Sequence, residues 1–330
     1  MNITKSLKIQ GFGKYLPSEV ESNELEKSLG IPAGWSAKYS GVSRRHHATF
    51  ETNGYMGARA LEDAINNSKL ELKDIDLLIS AGGTYDYPLP NQACIIKNEL
   101  KKGNSWNAPA IDIDSTCLSF VTALDIASNM LSERYKTIAI VSSEIASKGL
   151  NPNNSETKTL FGDAAVACIV SKDPSGKSGI WKAQQETFSE GALLTLIEGG
   201  GNARPFKDYP YDHQMHSFKM EGRKLLRLTK KKLPSFIKTF FQNTETDFLE
   251  MDAIIPHQAS KFGLEMIKKM YSFKEGQFLE SINEYGNCIA ASIPLTLMLN
   301  IENGRIQRGD ICFLVGTSAG YSIGGLIFTY

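Results

Sequence analysis

The sequence predicts an alternating α/β fold built from two similar halves. Three observations lead there. Strand-like and helix-like segments alternate along all 330 residues, with no low-complexity linker between them. Two turn-marked apolar helices are each followed by a strand at similar spacing. Cys117 lies 20 residues before Thr137 (137 − 117), and Asn287 lies 23 before Asp310 (310 − 287). The composition, 42% hydrophobic and 22% charged, is that of a globular chain with ample core.

In the first half, Asp76 to Ser80 reads as a buried strand that ends at Gly82-Gly83. Ala110 to Asp114 is a second strand and runs into Ser115-Thr116-Cys117. Leu118 to Glu133 reads as a helix with apolar residues on nearly every side, among them Phe120, Leu124 and Leu131. A helix apolar all round belongs in the interior. Thr137 to Val141 is the next strand. The second half repeats the layout with Met251 to Pro256, the Gly286-Asn287-Cys288 turn, an apolar helix over Ile289 to Ile301, and a strand over Asp310 to Val315. The most turn-rich junction, Ser171 to Gly179, separates halves spanning 1–172 and 173–330.

Charge and cysteine usage exclude several classes. Lys+Arg and Asp+Glu are both 36, so the formal net charge is zero, which argues against a nucleic-acid binder. The hydrophobic content rules out a disordered chain. No stretch reaches the ~18 apolar residues of a membrane span. Met1 to Tyr15 alternates polar and apolar residues and lacks the apolar centre of a signal peptide, so a cytoplasmic protein is expected. The five cysteines are widely spaced with no C-x-x-C, which argues against a disulfide framework or a cysteine zinc site.

Cys117 follows a strand and opens a helix, where the dipole and unpaired amides lower a thiol pKa and favour a nucleophilic thiolate. A cysteine is more often a small core hydrophobe, and Cys94, Cys168, Cys288 and Cys312 are read that way. His257 ends an apolar strand in Pro256-His257-Gln258, where an imidazole can be held firmly. Asn287 fits a helix N-cap or an amide donor to a substrate oxygen. These three, with the turn at Gly316 to Gly320, would gather at strand carboxyl ends and helix N-termini, where α/β proteins place their sites. His46 and His47 read as solvated, and His213 and His216 as loop residues without partners. Gly199-Gly200-Gly201 lacks the Gly-Lys-Ser/Thr of a phosphate loop and reads as a flexible turn.

These residues resemble the β-ketoacyl-acyl-carrier-protein synthase III family of the thiolase superfamily, nearly end to end. Trp35 with Gly41-Val42-Ser43-Arg44-Arg45 is similar to the family's N-terminal element. Asp114-Ser115-Thr116-Cys117 with Phe120 resembles its nucleophile turn, and Leu160-Phe161-Gly162-Asp163 its Leu-Phe-Gly-Asp element. Pro256-His257-Gln258-Ala259 and Tyr285-Gly286-Asn287 resemble its His and Asn motifs, and Gly320-Tyr321-Ser322-Ile323-Gly324 its final glycine turn. The resemblance implies a thiolase-like five-layered α-β-α-β-α fold, a homodimer, and a catalytic triad of Cys117, His257 and Asn287. It implies an acyl-Cys117 intermediate, an oxyanion site from the backbone amides of Cys117 and the Ala319-Gly320 turn, and decarboxylative condensation with a malonyl thioester in fatty acid or polyketide-type biosynthesis. That reaction needs no metal or redox cofactor.

The resemblance also implies acyl carrier protein or acyl-CoA as partner. Trp35 falls at the CoA-contacting position. The arginine four residues after it is Tyr39 here, and the arginine before Leu160 is replaced within Asn153-Asn154-Ser155-Glu156. Losing two guanidinium groups removes phosphate contacts and favours a carrier-protein donor. Gly222 to Lys238 reads as a basic amphipathic helix or helix pair, with Arg227 at the docking position. The second docking arginine is replaced by Phe262, beside Lys261. Thr84 to Pro90 resembles the loop that crosses the dimer interface, with Leu89 at the position that sets acyl length; a leucine there admits a longer or branched chain than a phenylalanine. Two other readings stand beside this one. The first is a specialised enzyme that joins two acyl chains or passes an acyl group to an alcohol or amine. The second is a non-catalytic partner subunit, against which the three intact triad residues argue.

Overall fold

A computed structural model describes residues 3–100, 105–242, 244 and 246–330; Met1 and Asn2 of the N-terminal segment lie outside them. Two five-stranded mixed sheets form the frame. The first runs Lys8–Tyr15, Ala164–Ser171, Thr137–Glu144, Leu77–Ala81, Ala110–Ile113. The second runs Lys5–Ser6, Gly179–Thr187, Ser322–Thr329, Ile311–Ser318, Ala253–Pro256. In the first sheet the three long strands pair antiparallel and Leu77–Ala81 and Ala110–Ile113 add in parallel, whereas in the second only Ala253–Pro256 pairs parallel. The first two residues of this frame, Lys5 and Ser6, belong to the second sheet, through Ile180 and Gly179.

Why five layers form follows from which faces are apolar. Helices Ser119–Met130 and Ser292–Glu302 are apolar on most sides, so each must be covered all round. They lie between the sheets, where Leu124 and Ile293 share one core with Val166, Leu77, Ile255 and Leu326. The outer faces of the sheets still need cover. Helices Asn53–Ser68 and Gln92–Glu99 supply it for the first sheet through Leu61 and Ile96. Helices Gly222–Phe241 and Lys261–Met270 supply it for the second, where Phe236 and Phe240 meet Phe313 and Ile327. The fold is thiolase-like, as expected. Gly222–Phe241 is one helix that continues through the exposed Pro234.

Each central helix opens with the same tight turn. Thr116–Leu118 and Ile289–Ala291 are single 3-10 turns. Thr116 and Ile289 both have a φ of 49°, a strained value for β-branched residues. Asp114 Oδ1 accepts from the Thr116 amide at 2.7 Å, and Asn287 Oδ1 accepts from the Ile289 amide at 2.9 Å. Ser119 and Ser292 close the turns by accepting from the amides of Ser115 and Cys288. The repeat register is therefore three residues from the one the sequence spacing indicates. Asn287 matches Asp114, and the counterpart of Cys117 is Ala290. Each turn packs against the other half's sheet: the first on Ile311–Ser318, the second on Thr137–Glu144.

Several surface expectations are corrected. His46 is buried in the Arg44–His47 strand and stacks on Tyr285, and His47 Nε2 lies 3.3 Å from the Phe161 carbonyl. Their strand pairs with Ser18–Glu21 and is covered by the Tyr285 loop, which a local polar reading cannot foresee. Cys94 is exposed, on the outer side of its helix, rather than in the core. His216 has aromatic partners: it stacks on Phe206 and Tyr211.

Gly162 shows how the fold sets the site. A Cβ there would lie 2.2 Å from the Tyr285 carbonyl oxygen. The close approach lets Gly162 N–H donate to the Asn287 carbonyl at 3.1 Å, while Asn287 N–H donates to Leu160 O at 2.9 Å. Gly162→Ala is expected to cost about 1–3 kcal/mol of stability by overpacking and to displace Asn287. Denaturant midpoints and condensation rates check this; a stable, fully active variant would contradict it.

Candidate active site

Cys117 sits inside the first strained turn, half-buried at the wall of a cavity of about 900 Å³. Thr116 Oγ1 donates to the Ala319 carbonyl at 3.3 Å, which ties the turn to the end of strand Ile311–Ser318. The backbone amides of Ala319 and of Cys117 itself act on the thiol in the direction that favours its thiolate. Gly83 permits the turn to approach, since its Cβ would lie 3.3 Å from Thr116 Cα. The thiol pKa is not lowered as the helix position predicts. Burial, then the nearby Glu144, push it up to about 12, and the two amides only partly oppose them. One 3-10 turn offers less dipole than the sequence reading assumes.

His257 follows strand Ala253–Pro256 and is 5% exposed. Its N–H donates to the Val315 carbonyl at 2.8 Å, and its carbonyl accepts from Ala259 N–H at 2.9 Å. Gly316 makes room, because a Cβ there would meet His257 Cβ at 2.7 Å. Burial lowers the imidazole pKa to about 4, so the ring is neutral near pH 7. Its Nδ1 is buried without a partner. Asn287 is also buried, and its Nδ2 donates to the Ala259 carbonyl at 3.2 Å. Ala259 thus braces both the histidine loop and the asparagine side chain. Asn287 Oδ1 already accepts from the turn, and Nδ2 keeps one proton beyond its bond to the Ala259 carbonyl.

The cavity wall brings together Cys117, His257, Asn287, Trp35, Ala319 and Gly320. Trp35 packs against Tyr39 with ring centroids 4.5 Å apart and the planes tilted, and the exposed Glu156 and Arg223 stand on the same wall. Three other sequence-derived candidates lie off it. Leu89 is 85% exposed on its loop. Arg227 is on the solvent face of Gly222–Phe241. Lys261 Nζ donates to the Ala37 carbonyl at 3.1 Å and its stem covers Gly41, so it fastens the Trp35–Tyr39 helix.

Comparison with known proteins agrees with this geometry. Residues 111–189 match the family model for 3-oxoacyl-[acyl-carrier-protein] synthase III, and residues 241–330 match the model for its C-terminal part. The β-ketoacyl-[acyl-carrier-protein] synthase III of Rickettsia massiliae is 30% identical over 322 residues, 96% of this chain and 97% of that one. The chain belongs to the β-ketoacyl-acyl-carrier-protein synthase III family. The enzyme of the same name from Vesicomyosocius okutanii is 29% identical over 99% of this chain and all of its own. The crystal structure of the Aquifex aeolicus 3-oxoacyl-[acyl-carrier-protein] synthase III superposes with a TM-score of 0.86 at 26% identity, covering 98% of this chain and 100% of that one. Family members of this name are condensing acyltransferases. Among the described residues no helix is long and apolar enough to cross a membrane.

One site residue escaped the sequence reading. Strand Thr137–Glu144 runs three residues beyond Val141 and ends in Glu144, which is fully buried. Glu144 Oε1 accepts from Gly83 N–H at 2.8 Å and Oε2 accepts from Thr84 Oγ1, and the nearby Ala290 amide also favours the carboxylate. The available signal was an acidic residue closing an apolar strand, masked by Ser142-Ser143. Burial raises the Glu144 pKa to about 8 despite those three groups. It is therefore protonated in the folded state where the unfolded chain, at 4.5, has already ionised. The folded state holds the extra proton between those values, so this group's contribution to stability is lost as pH rises from about 4.5 to about 8. His257 acts oppositely: its contribution is lost as pH falls from 6.5 to about 4. Glu144→Gln removes only the first effect. Melting temperatures from pH 5 to 9 should show a flatter alkaline fall in the variant and a gain on the order of a few kcal/mol above pH 8. An unchanged slope would mean that Glu144 is ionised throughout.

Proposed function

We propose that this chain forms an acyl thioester on Cys117 and condenses it with a malonyl thioester. The observation that carries the reading is the convergence of a thiol, a neutral imidazole and an amide donor on one cavity. In the first step the Cys117 sulfur attacks the acyl thioester. The backbone amides of Cys117 and Ala319 are the donors this reading assigns to the oxyanion. The thiol proton leaves with the departing carrier thiol, so charge is conserved. In the second step the malonyl carboxylate departs as carbon dioxide. The enolate oxygen then needs two donors. Asn287 Nδ2 has one proton free, and His257 Nε2 is the ring nitrogen not sealed in the protein. The enolate carbon attacks the acyl carbonyl, and the Cys117 thiolate that leaves takes up a proton. A histidine neutral near pH 7 suits this role, since it donates without titrating during turnover.

The donor in this reading is an acyl carrier protein. Where nucleotide-binding arginines would stand, the wall offers Tyr39 and the exposed Glu156, which repels a phosphate. Arg223, Arg227, Lys230 and Lys231 are exposed along one helix and present positive charge to an acidic partner. A homodimer completes the reading. Ala110–Ile113 is an edge strand, and exposed Tyr85, Tyr87, Leu89, Ile111 and Phe50 are apolar side chains that a second copy would cover.

Intact-protein mass spectrometry with a panel of acyl thioesters is the first test. Wild type should gain one acyl mass, and Cys117→Ala none. His257→Ala and Asn287→Ala should still acylate but lose 10²-fold or more in condensation, as removal of an oxyanion donor does. Acylation that survives in Cys117→Ala would overturn the assignment. Arg227→Glu should weaken turnover with acyl carrier protein about ten-fold at low salt and leave short acyl-pantetheine donors unaffected. Equal losses with both donors would refute docking there.

A further inference from the structure

The two halves differ in one packing feature. In the first half, helices Asn53–Ser68 and Gln92–Glu99 pack flush, because Gly54 and Gly57 admit Ile95 and Ile96. The corresponding pair in the second half, Gly222–Phe241 and Lys261–Met270, stands apart. The cavity that contains Cys117 extends into the gap. Leu226, Thr229, Leu233 and Ile237 line one side of it. They recur every three or four residues, so they form a single helix stripe. Gly263, Ile267 and Tyr271 form the facing stripe at spacings of four, and Phe248 and Phe278 also contribute to the wall.

This branch is built for carbon. The charged residues of the cavity wall, Glu156 and Arg223, are exposed and therefore at its outer end. The hydroxyls of Tyr321 and Thr229 satisfy each other at 3.1 Å. Ile267, Tyr271 and Phe278 pack on the second sheet's outer face, keep partial exposure and line the cavity, whereas Leu233, Ile237 and Phe248 on the same wall are buried. From Leu226 to Ile237 the stripe runs about 16 Å. At the zigzag advance of ~1.5 Å carbon–carbon bonds, that matches roughly twelve methylenes.

We propose that the gap between helices Gly222–Phe241 and Lys261–Met270 binds a linear saturated acyl chain of roughly twelve carbons, carried into the cavity as a thioester. The inference rests on the reading that thioesters enter this cavity. It places a chain in the second half of the molecule, away from the loop that bears Leu89.

Equilibrium binding to the Cys117→Ala protein tests this without any reaction. The probes are butanoyl- to tetradecanoyl-pantetheine. Affinity should rise about four-fold per methylene, then level off near twelve carbons. The ratio of dodecanoyl to butanoyl affinity is the quantity read. It should collapse at least ten-fold in Ile237→Trp, which fills the branch. Gly263→Leu is the second variant: a Cβ there meets only Ser260 Oγ at 3.2 Å, and leucine suits a helix better than glycine. If Ile237→Trp does not fold, Gly263→Leu decides. A flat chain-length series, or an unchanged ratio in a folded variant, overturns the proposal. Failure of wild-type Cys117 to acylate would refute the proposed reaction and leave this binding result standing.

Discussion

The site depends on a crosswise contact between the halves. Each central helix begins in a strained turn, and each turn packs on the sheet of the other half. The two helices are apolar on most sides, so both sheets must close over them. Closure brings the helix N-termini and the carboxyl ends of the parallel strands to one place. Cys117 meets Ala319 by that route, and Ala290 meets Glu144 by the mirror of it. The strain at Thr116 and Ile289 is borne because side chains on both flanks of each turn hold it.

The duplicated frame has been used asymmetrically. One turn carries a thiol beside a free cavity. The other carries an alanine whose amide lies beside the buried Glu144 carboxyl group. The outer helices diverge in the same way. Glycines close the first pair, whereas larger side chains and a gap mark the second. The proposed substrate space therefore lies mainly in the second half, while the proposed nucleophile comes from the first.

The buried titratable groups of the site are uncharged at rest. Burial keeps the Cys117 thiol protonated, the His257 ring neutral and the Glu144 carboxyl protonated near neutral pH. In such a low-dielectric pocket, fixed N–H donors stabilise developing negative charge far better than water would. In the proposed reaction the amides of Cys117 and Ala319, with Asn287 Nδ2, would serve as donors of this kind.

The sequence alone determined the alternating layout and singled out the candidate reactive side chains. Alternating hydrophobic segments encode which helices are buried on all sides, and short motifs around Cys117, His257 and Asn287 mark turns whose glycines admit close approach. These are local properties, legible because a few neighbouring residues set them. Tertiary structure decided the rest. The thiol pKa moved opposite to the local dipole argument because burial and Glu144, 27 residues on (144 − 117), outweigh one turn of amides. The repeat register, the burial of His46 and the opening between two helices likewise depend on which surfaces meet across the chain. Desolvation and packing act through space, and spacing along a sequence does not report them.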